Sequence, residues 1–200
     1  MNFEKIEAII SEAKADVIPR HLRARQLAGD GLNQYYNFFR HLAMSENRPG
    51  VILEIGCYRG TTAAHILDSS TIGFHDHIVI GIDVNPIPYS HSSFIALQGD
   101  SCDPKIAACV KSIADEMGGL FAVFQDSSHH YAPSVKEWEL YSPMVRPGGI
   151  WVSDDITPAF RLPEEPKGMI DYWAEISVSQ ERKCLYNHLH HGSTVGIALL

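Results

Sequence analysis

The chain has 200 residues, 45% of them hydrophobic, and sets 16 Lys and Arg against 24 Asp and Glu for a formal charge of −8. A chain of this size buries roughly 70% of its unfolded surface, so one domain that needs no disulfide or structural metal is expected and a disordered protein is excluded. The acidic balance and the lack of a Lys/Arg cluster argue against a nucleic-acid partner, whose phosphates are held by basic side chains.

Four cysteines, Cys57, Cys102, Cys109 and Cys184, lie far apart without C-x-x-C spacing. They are expected to be buried thiols in a reducing, cytoplasmic setting. The opening MNFEKIEAII carries early Glu residues and does not resemble a signal peptide, and no apolar run approaches the ~18 residues of a spanning helix, so no membrane partner is expected.

Residues 1–48 repeat apolar side chains at helical spacing: Phe3, Ile6, Ile9/Ile10, Ala13 and Val17, then Leu32, Tyr35/Tyr36, Phe39 and Leu42/Ala43. They are predicted to be a helical extension of the same domain, covering a crevice or forming a homo-oligomer contact. From Val51 the pattern becomes short apolar runs: VILEIG, IVIGID (78–83), FIALQG (94–99), LFAVFQ (120–125) and IWVSD (150–154). Each is nearly continuous rather than alternating, as parallel strands covered on both faces are. Helices are predicted over Thr61 to Asp68, Pro104 to Met117 and Pro133 to Val145, with Pro147-Gly148-Gly149 as a stop before the fifth strand. Trp138, Tyr141 and Val145 are read as one core-facing stripe of the third helix. After Asp155 come a Pro-rich loop (Pro158, Pro163, Pro166), a helix near Met169 to Val178, and the runs KCLYNHLHH and STVGIALL joined by Gly192. So short a connection permits only an antiparallel pair. The predicted fold is α/β: a Rossmann-like, doubly wound sheet, mostly parallel with an antiparallel C-terminal strand, helices on both faces, and ligands at the strands' carboxyl ends.

The first strand ends in LEIGCYRGTT, where Gly56 and Gly60 bracket a strand-to-helix turn. A dinucleotide fingerprint places its second Gly two residues after the first, so that backbone touches pyrophosphate. Tyr58 occupies that place and disfavours a pyrophosphate. Glu54 would repel phosphate but attract an ammonium, and S-adenosylmethionine has an α-amino group and no phosphate. Asp83, ending the second strand, suits paired ribose hydroxyls because a carboxylate accepts two hydrogen bonds. Asp100 and Ser101 end the third strand, within reach of an adenine. One such acid alone would read as a helix cap; three at successive strand ends point to a cofactor.

Asp126 ends the fourth strand and Asp154-Asp155 the fifth, so adjacency brings three carboxylates into one crevice, where they would repel. A divalent cation removes the conflict, and hard oxygen donors favour Mg2+, with Mn2+ or Ca2+ as alternatives. His129 lies three residues after Asp126 and is placed to take a proton from an alcohol, with His130 as its competitor. His75, His77, His188, His190 and His191 have no comparable partners in sequence and are read as surface or packing residues.

LEIGCYRGTT resembles the first motif of class I S-adenosylmethionine-dependent methyltransferases, in particular the metal-dependent small-molecule O-methyltransferases of catechol type, including the aromatic Tyr58 and the hydroxyl of Thr62. DSSHHY followed by PSVKEWELYSPMVRPGGIWVSDDI resembles more narrowly the branch of cephalosporin-hydroxylase-like proteins and macrolide-sugar O-methyltransferases. The resemblance covers about Val51 to Ile156. It implies Glu54 and Gly56 near the methionine end of the cofactor, Asp83 at the ribose, Asp100-Ser101 near adenine, and Asp126, Asp154 and Asp155 as metal ligands. It places His129 where sugar-modifying relatives carry a histidine base and the catechol type a lysine. Asp154 stands where the nearest branch often has Glu, and Asp155 where the catechol type has Asn; both keep an oxygen ligand. The implied activity is methyl transfer to a hydroxyl of a small molecule such as a sugar, a phenol or a natural-product scaffold. The rival readings are a cofactor-binding partner subunit without catalysis and a nicotinamide-dependent oxidoreductase on the same kind of sheet, which Tyr58 disfavours.

Overall fold

The computed structural model describes residues 1–15, 34–46, 48–67, 77–156, 165–176, 178, 181–187 and 194–200. Its elements in chain order are α1 (Phe3–Ala15), α2 (Gln34–Ser45), β1 (Val51–Ile55), α3 (Thr61–Leu67), β2 (Ile78–Asp83), β3 (Phe94–Gln98), α4 (Pro104–Glu116), β4 (Leu120–Gln125), α5 (Tyr131–Tyr141), a 3-10 turn (Ser142–Met144), β5 (Val145–Ser153), α6 (Met169–Ile176), β6 (Glu181–Asn187) and β7 (Thr194–Leu199). The loop containing Pro158 and Pro163, Asp68, His75, His188, His190, His191, the turn at Gly192 and the side chain of Cys184 lie outside the described residues.

The strands form one seven-stranded sheet in the order β3-β2-β1-β4-β5-β7-β6. The five strands β1 to β5 pair in parallel, and β7 enters between β5 and β6, antiparallel to both. β1 and β4 are buried along their whole length, which is why their sequences show no polar alternation. Successive side chains point to opposite faces, so Ile52 and Phe124 pack with α1, α2 and α3, whereas Leu53 and Val123 pack with α4, α5 and α6. The N-terminal helices belong to that first layer: Ile6, Ile9, Ile10 and Ala13 of α1 join Phe39 and Leu42 of α2 in the core. These six side chains are therefore covered within the chain.

Three sequence expectations are corrected here. Pro147-Gly148-Gly149 does not precede the fifth strand but lies inside β5, where Val145 already pairs with Leu120 and Ile150 with Ala122. The residues between them form a bulge whose backbone is satisfied from the chain end, Gly148 N donating to Leu200 O at 2.6 Å and Leu200 N to Gly149 O at 3.0 Å. Val145 thus belongs to the sheet, and the buried face of α5 is Ser134, Glu137 and Tyr141. Cys109 is exposed, because α4 turns Ala107, Val110 and Ala114 inward; Cys57 alone of the described thiols is buried. No described helix is long and apolar enough to cross a membrane.

Candidate active site

The strand order reverses between β1 and β4, and a crevice opens there at the strands' carboxyl ends. Backbone bonds lace those ends together. Asp126 N donates to Ile55 O at 2.8 Å, Gly56 N to Ile82 O at 2.9 Å, Gly99 N to Asp83 O at 2.9 Å and Asp154 N to Gln125 O at 2.9 Å. Side chains far apart in sequence are thereby fixed around one opening. Gly56 is required in it: at φ +86°, its added Cβ would lie 1.9 Å from Asp126 O.

A cavity of about 750 Å³ occupies the crevice, lined by Gly56, Tyr58, Asp83, Asp100, Ser101 and Asp126 among the residues expected from the sequence. Val84, Asn85, Cys102, Ser127, Lys136 and Glu137 also line it and were not foreseen. Asp83 is held rigidly, Oδ2 accepting from Tyr58 N at 2.7 Å and Oδ1 from Asn85 N at 2.8 Å. Tyr58 leaves its ring 63% exposed at the mouth, so the bulk that blocks a pyrophosphate turn stands beside the cavity.

Glu54, Gly60 and Thr62 are not in that wall. Glu54 sits behind the turn, 3% exposed, hydrogen bonded to Thr62 and Cys57 and with Oε2 unpartnered. Gly60 serves close packing, since a Cβ there would meet Tyr89 Cβ at 2.5 Å. Burial, with a smaller contribution from Asp83, pushes the Glu54 carboxyl up to about 7. Its folded value lies above its unfolded one, so the associated stability is present below about 4.5 and lost as the pH rises through about 7. The full loss is on the order of 3 kcal/mol for a shift of this size. Thermal melts of apo protein should therefore show wild type losing stability relative to Glu54→Gln between pH 5 and pH 8. Parallel curves would contradict this.

Beside the cavity, the strand-end acids of β4 and β5 meet at His129. Its Nε2 lies 3.5 Å from Asp126 Oδ1 and its Nδ1 3.5 Å from Asp155 Oδ2. His130 instead faces Glu165 at 3.5 Å, so of the two histidines only His129 addresses the acids. Asp154 lies alongside, Oδ1 accepting from Asp155 N at 2.9 Å. Asp126 is pushed well above the usual carboxylate range by burial, then by Asp154, Glu54 and Asp155. Asp154 is raised to about 7 by burial and by Asp155. Burial holds the His129 imidazole below its ordinary value, against the opposing pull of Asp155. The only described non-glycine residues with positive φ are Tyr58 (48°), His129 (55°) and Asp155 (54°), all in this site. Such left-handed residues cost about 1–3 kcal/mol each and persist where the surroundings hold them.

As the side chains stand, no three described His, Cys, Asp or Glu residues are spaced to enclose a metal ion. The chemistry of the donors nevertheless suits a hard divalent cation: Asp154 and Asp155 raise the proton affinity of Asp126, Asp155 raises that of Asp154, and no Lys or Arg offsets either. Asp126, Asp154 and Asp155 thus share one crevice, and among the described residues no coordination shell is preformed.

The family described as Rhamnosyl O-methyltransferase/CmcI matches residues 38–168, well over half of the chain. No curated protein sequence matches it. Among solved structures, the SAH-bound Podospora anserina methyltransferase PaMTH1 is similar with a TM-score of 0.63 and 12% identity, over 100% of this chain and 97% of that one. The O-methyltransferase from Bacillus cereus in complex with SAH gives 0.57 and 12%, over 98% and 91%. The MycE methyltransferase of the mycinamycin biosynthetic pathway, in complex with Mg and SAH, gives 0.55 and 19%, over 96% of this chain and 52% of that one. The chain thus spans about half the length of MycE. These likenesses establish the fold. The family match runs through all five parallel strands and the turns that follow them, and the chain belongs to the rhamnosyl O-methyltransferase/CmcI family.

Proposed function

We propose that the chain transfers a methyl group from S-adenosylmethionine to a hydroxyl of a small molecule of sugar or natural-product type, with a divalent cation held by Asp126, Asp154 and Asp155. The observation that carries this reading is the placement of His129 between Asp126 and Asp155 at the edge of a cavity whose wall holds Asp83 and Ser101. Family membership supports the reaction class, and the Mg in the MycE complex supports the ion.

When bound, S-adenosylmethionine supplies an electrophilic methyl group and the cation increases the acidity of a hydroxyl beside it. The chain's own residues do the rest. Asp83, fixed by two backbone N–H groups, has lone pairs left for ribose hydroxyls. His129, with Nδ1 3.5 Å from Asp155 Oδ2, would carry its proton there and use Nε2 to take the acceptor's proton. The crevice walls would hold the reacting groups in line; such positioning is worth up to roughly 7 to 11 kcal/mol when the geometry is near attack.

The test is mass spectrometry of a panel of sugars, phenols and antibiotic-like scaffolds incubated with S-adenosylmethionine and Mg2+. One acceptor should gain a single methyl on oxygen, and chelator should suppress the product. Tight binding of S-adenosylhomocysteine with no methylated product across the panel would favour a non-catalytic binding subunit.

A further inference from the structure

Glu137 has no role in the reaction just described, yet it is a carboxylate 1% exposed on α5 that lines the cavity. Among the described residues no cation pairs with it. Instead three uncharged donors converge on it: Ser101 Oγ donates to Oε1 at 2.5 Å, and Gln125 Nε2 and Ser127 Oγ donate to Oε2 at 2.8 and 2.9 Å. Each donor is itself anchored. Tyr141 OH donates to Ser101 O at 2.7 Å, Gln125 Nε2 is shared with Ser134 O at 3.1 Å, and Gln125 Oε1 accepts from Ser153 Oγ and Tyr172 OH at 2.9 and 2.7 Å. The amide of Gln125 therefore cannot flip without losing four bonds.

A serine hydroxyl has one proton and two lone pairs. An ionised carboxylate has only lone pairs, so the proton of Ser101 is committed to Glu137, and its oxygen can offer a cavity ligand nothing but an acceptor. Ser127 is polarised in the same way from the neighbouring loop. A wall built like this welcomes N–H groups and rejects carbonyl oxygens, because an oxygen facing an oxygen leaves a desolvated acceptor unpaired.

We infer that Glu137 is a specificity-determining residue: by holding the Ser101 hydroxyl proton it makes the cavity select a nucleobase edge that presents an amino group, adenine over its 6-oxo counterpart. The inference rests on the proposed use of S-adenosylmethionine and concerns base selection rather than methyl transfer. Glu137→Gln keeps the shape. Its amide oxygen can still accept from Gln125 and Ser127, but its NH2 then faces Ser101 and reverses that hydroxyl, which turns its hydrogen toward the cavity.

Calorimetry with S-adenosylhomocysteine and S-inosylhomocysteine tests this. Wild type should prefer the adenosyl compound by roughly tenfold or more, the discrimination of about one well-placed hydrogen bond. Glu137→Gln should bring the ratio close to one or reverse it. Ser101→Ala, which leaves α5 untouched, should also erase the preference, and it carries the test if Glu137→Gln does not fold. A folded Glu137→Gln or a Ser101→Ala protein with the wild-type ratio would overturn the inference while leaving the proposed function standing. Binding of neither compound by wild type would overturn both. A structural role alone would weaken both compounds equally and leave the ratio unmoved, which also counts against the inference.

Discussion

Replacing Asp126 with asparagine is expected to lower Mg2+-dependent turnover by roughly 10²-fold or more, the equivalent of about 3 kcal/mol in barrier. Among the described residues, Asp126 is the one acid that both lines the cavity and contacts His129. Binding of S-adenosylhomocysteine should change little, since Asp83 and Ser101 lie on other strand ends. A second readout follows from the crowding of Asp126 by Asp154, Glu54 and Asp155. Asparagine removes a carboxylate that burial and its acidic neighbours disfavour in its charged form, so the apo variant should melt a few degrees higher than wild type at neutral pH. Full activity of Asp126→Asn in chelator would overturn the metal assignment. A lowered melting temperature would contradict the mutual repulsion.

Replacing His129 with alanine is expected to slow methyl transfer by roughly 10²- to 10⁴-fold, the usual contribution of a positioned general base. The loss should appear in kcat with little change in KM for the cofactor, because the imidazole lies outside the cavity wall. The variant should fold, since His129 belongs to neither hydrophobic cluster and its removal leaves both cores intact. His130→Ala should retain most activity, because His130 faces Glu165 rather than the acids. An unchanged kcat in His129→Ala would move the base elsewhere, and an equal loss in both variants would point to a shared structural role.

The strands were readable because β1 and β4 are covered on both faces, and that leaves an unmistakable apolar run ended by Glu54, Gly56 or Asp126. Asp126 was readable for the same reason, being the charged residue immediately after buried β4, whereas Glu54 lies inside β1 and its place behind the turn was not readable. Nor was Glu137. In the sequence it is one Glu on a helix beside Lys136 and Glu139, indistinguishable from a solvated face, while Trp138 and Tyr141 drew the core assignment. The signal that could have found it is the spacing of Ser134, Glu137 and Tyr141, a helical stripe whose polar members make sense only if the strand ends opposite offer donors. The Pro-Gly-Gly run misled in the other direction, since only the return of Leu200 to Gly148 and Gly149 allows those residues to stay within the sheet.

The sequence by itself determined most of the element types, their succession and which residues stand near the strand ends, because these depend on local periodicity and on which residues a buried strand can tolerate. Only the tertiary structure decided that Glu54 stands behind the turn instead of in the cavity wall, and that His129 rather than His130 meets the acids. It also decided that β7 inserts between β5 and β6 and that Glu137 governs a serine from another loop. Those outcomes depend on distances between segments tens of residues apart, which no local pattern encodes and which the packing of helices on both faces of the sheet sets.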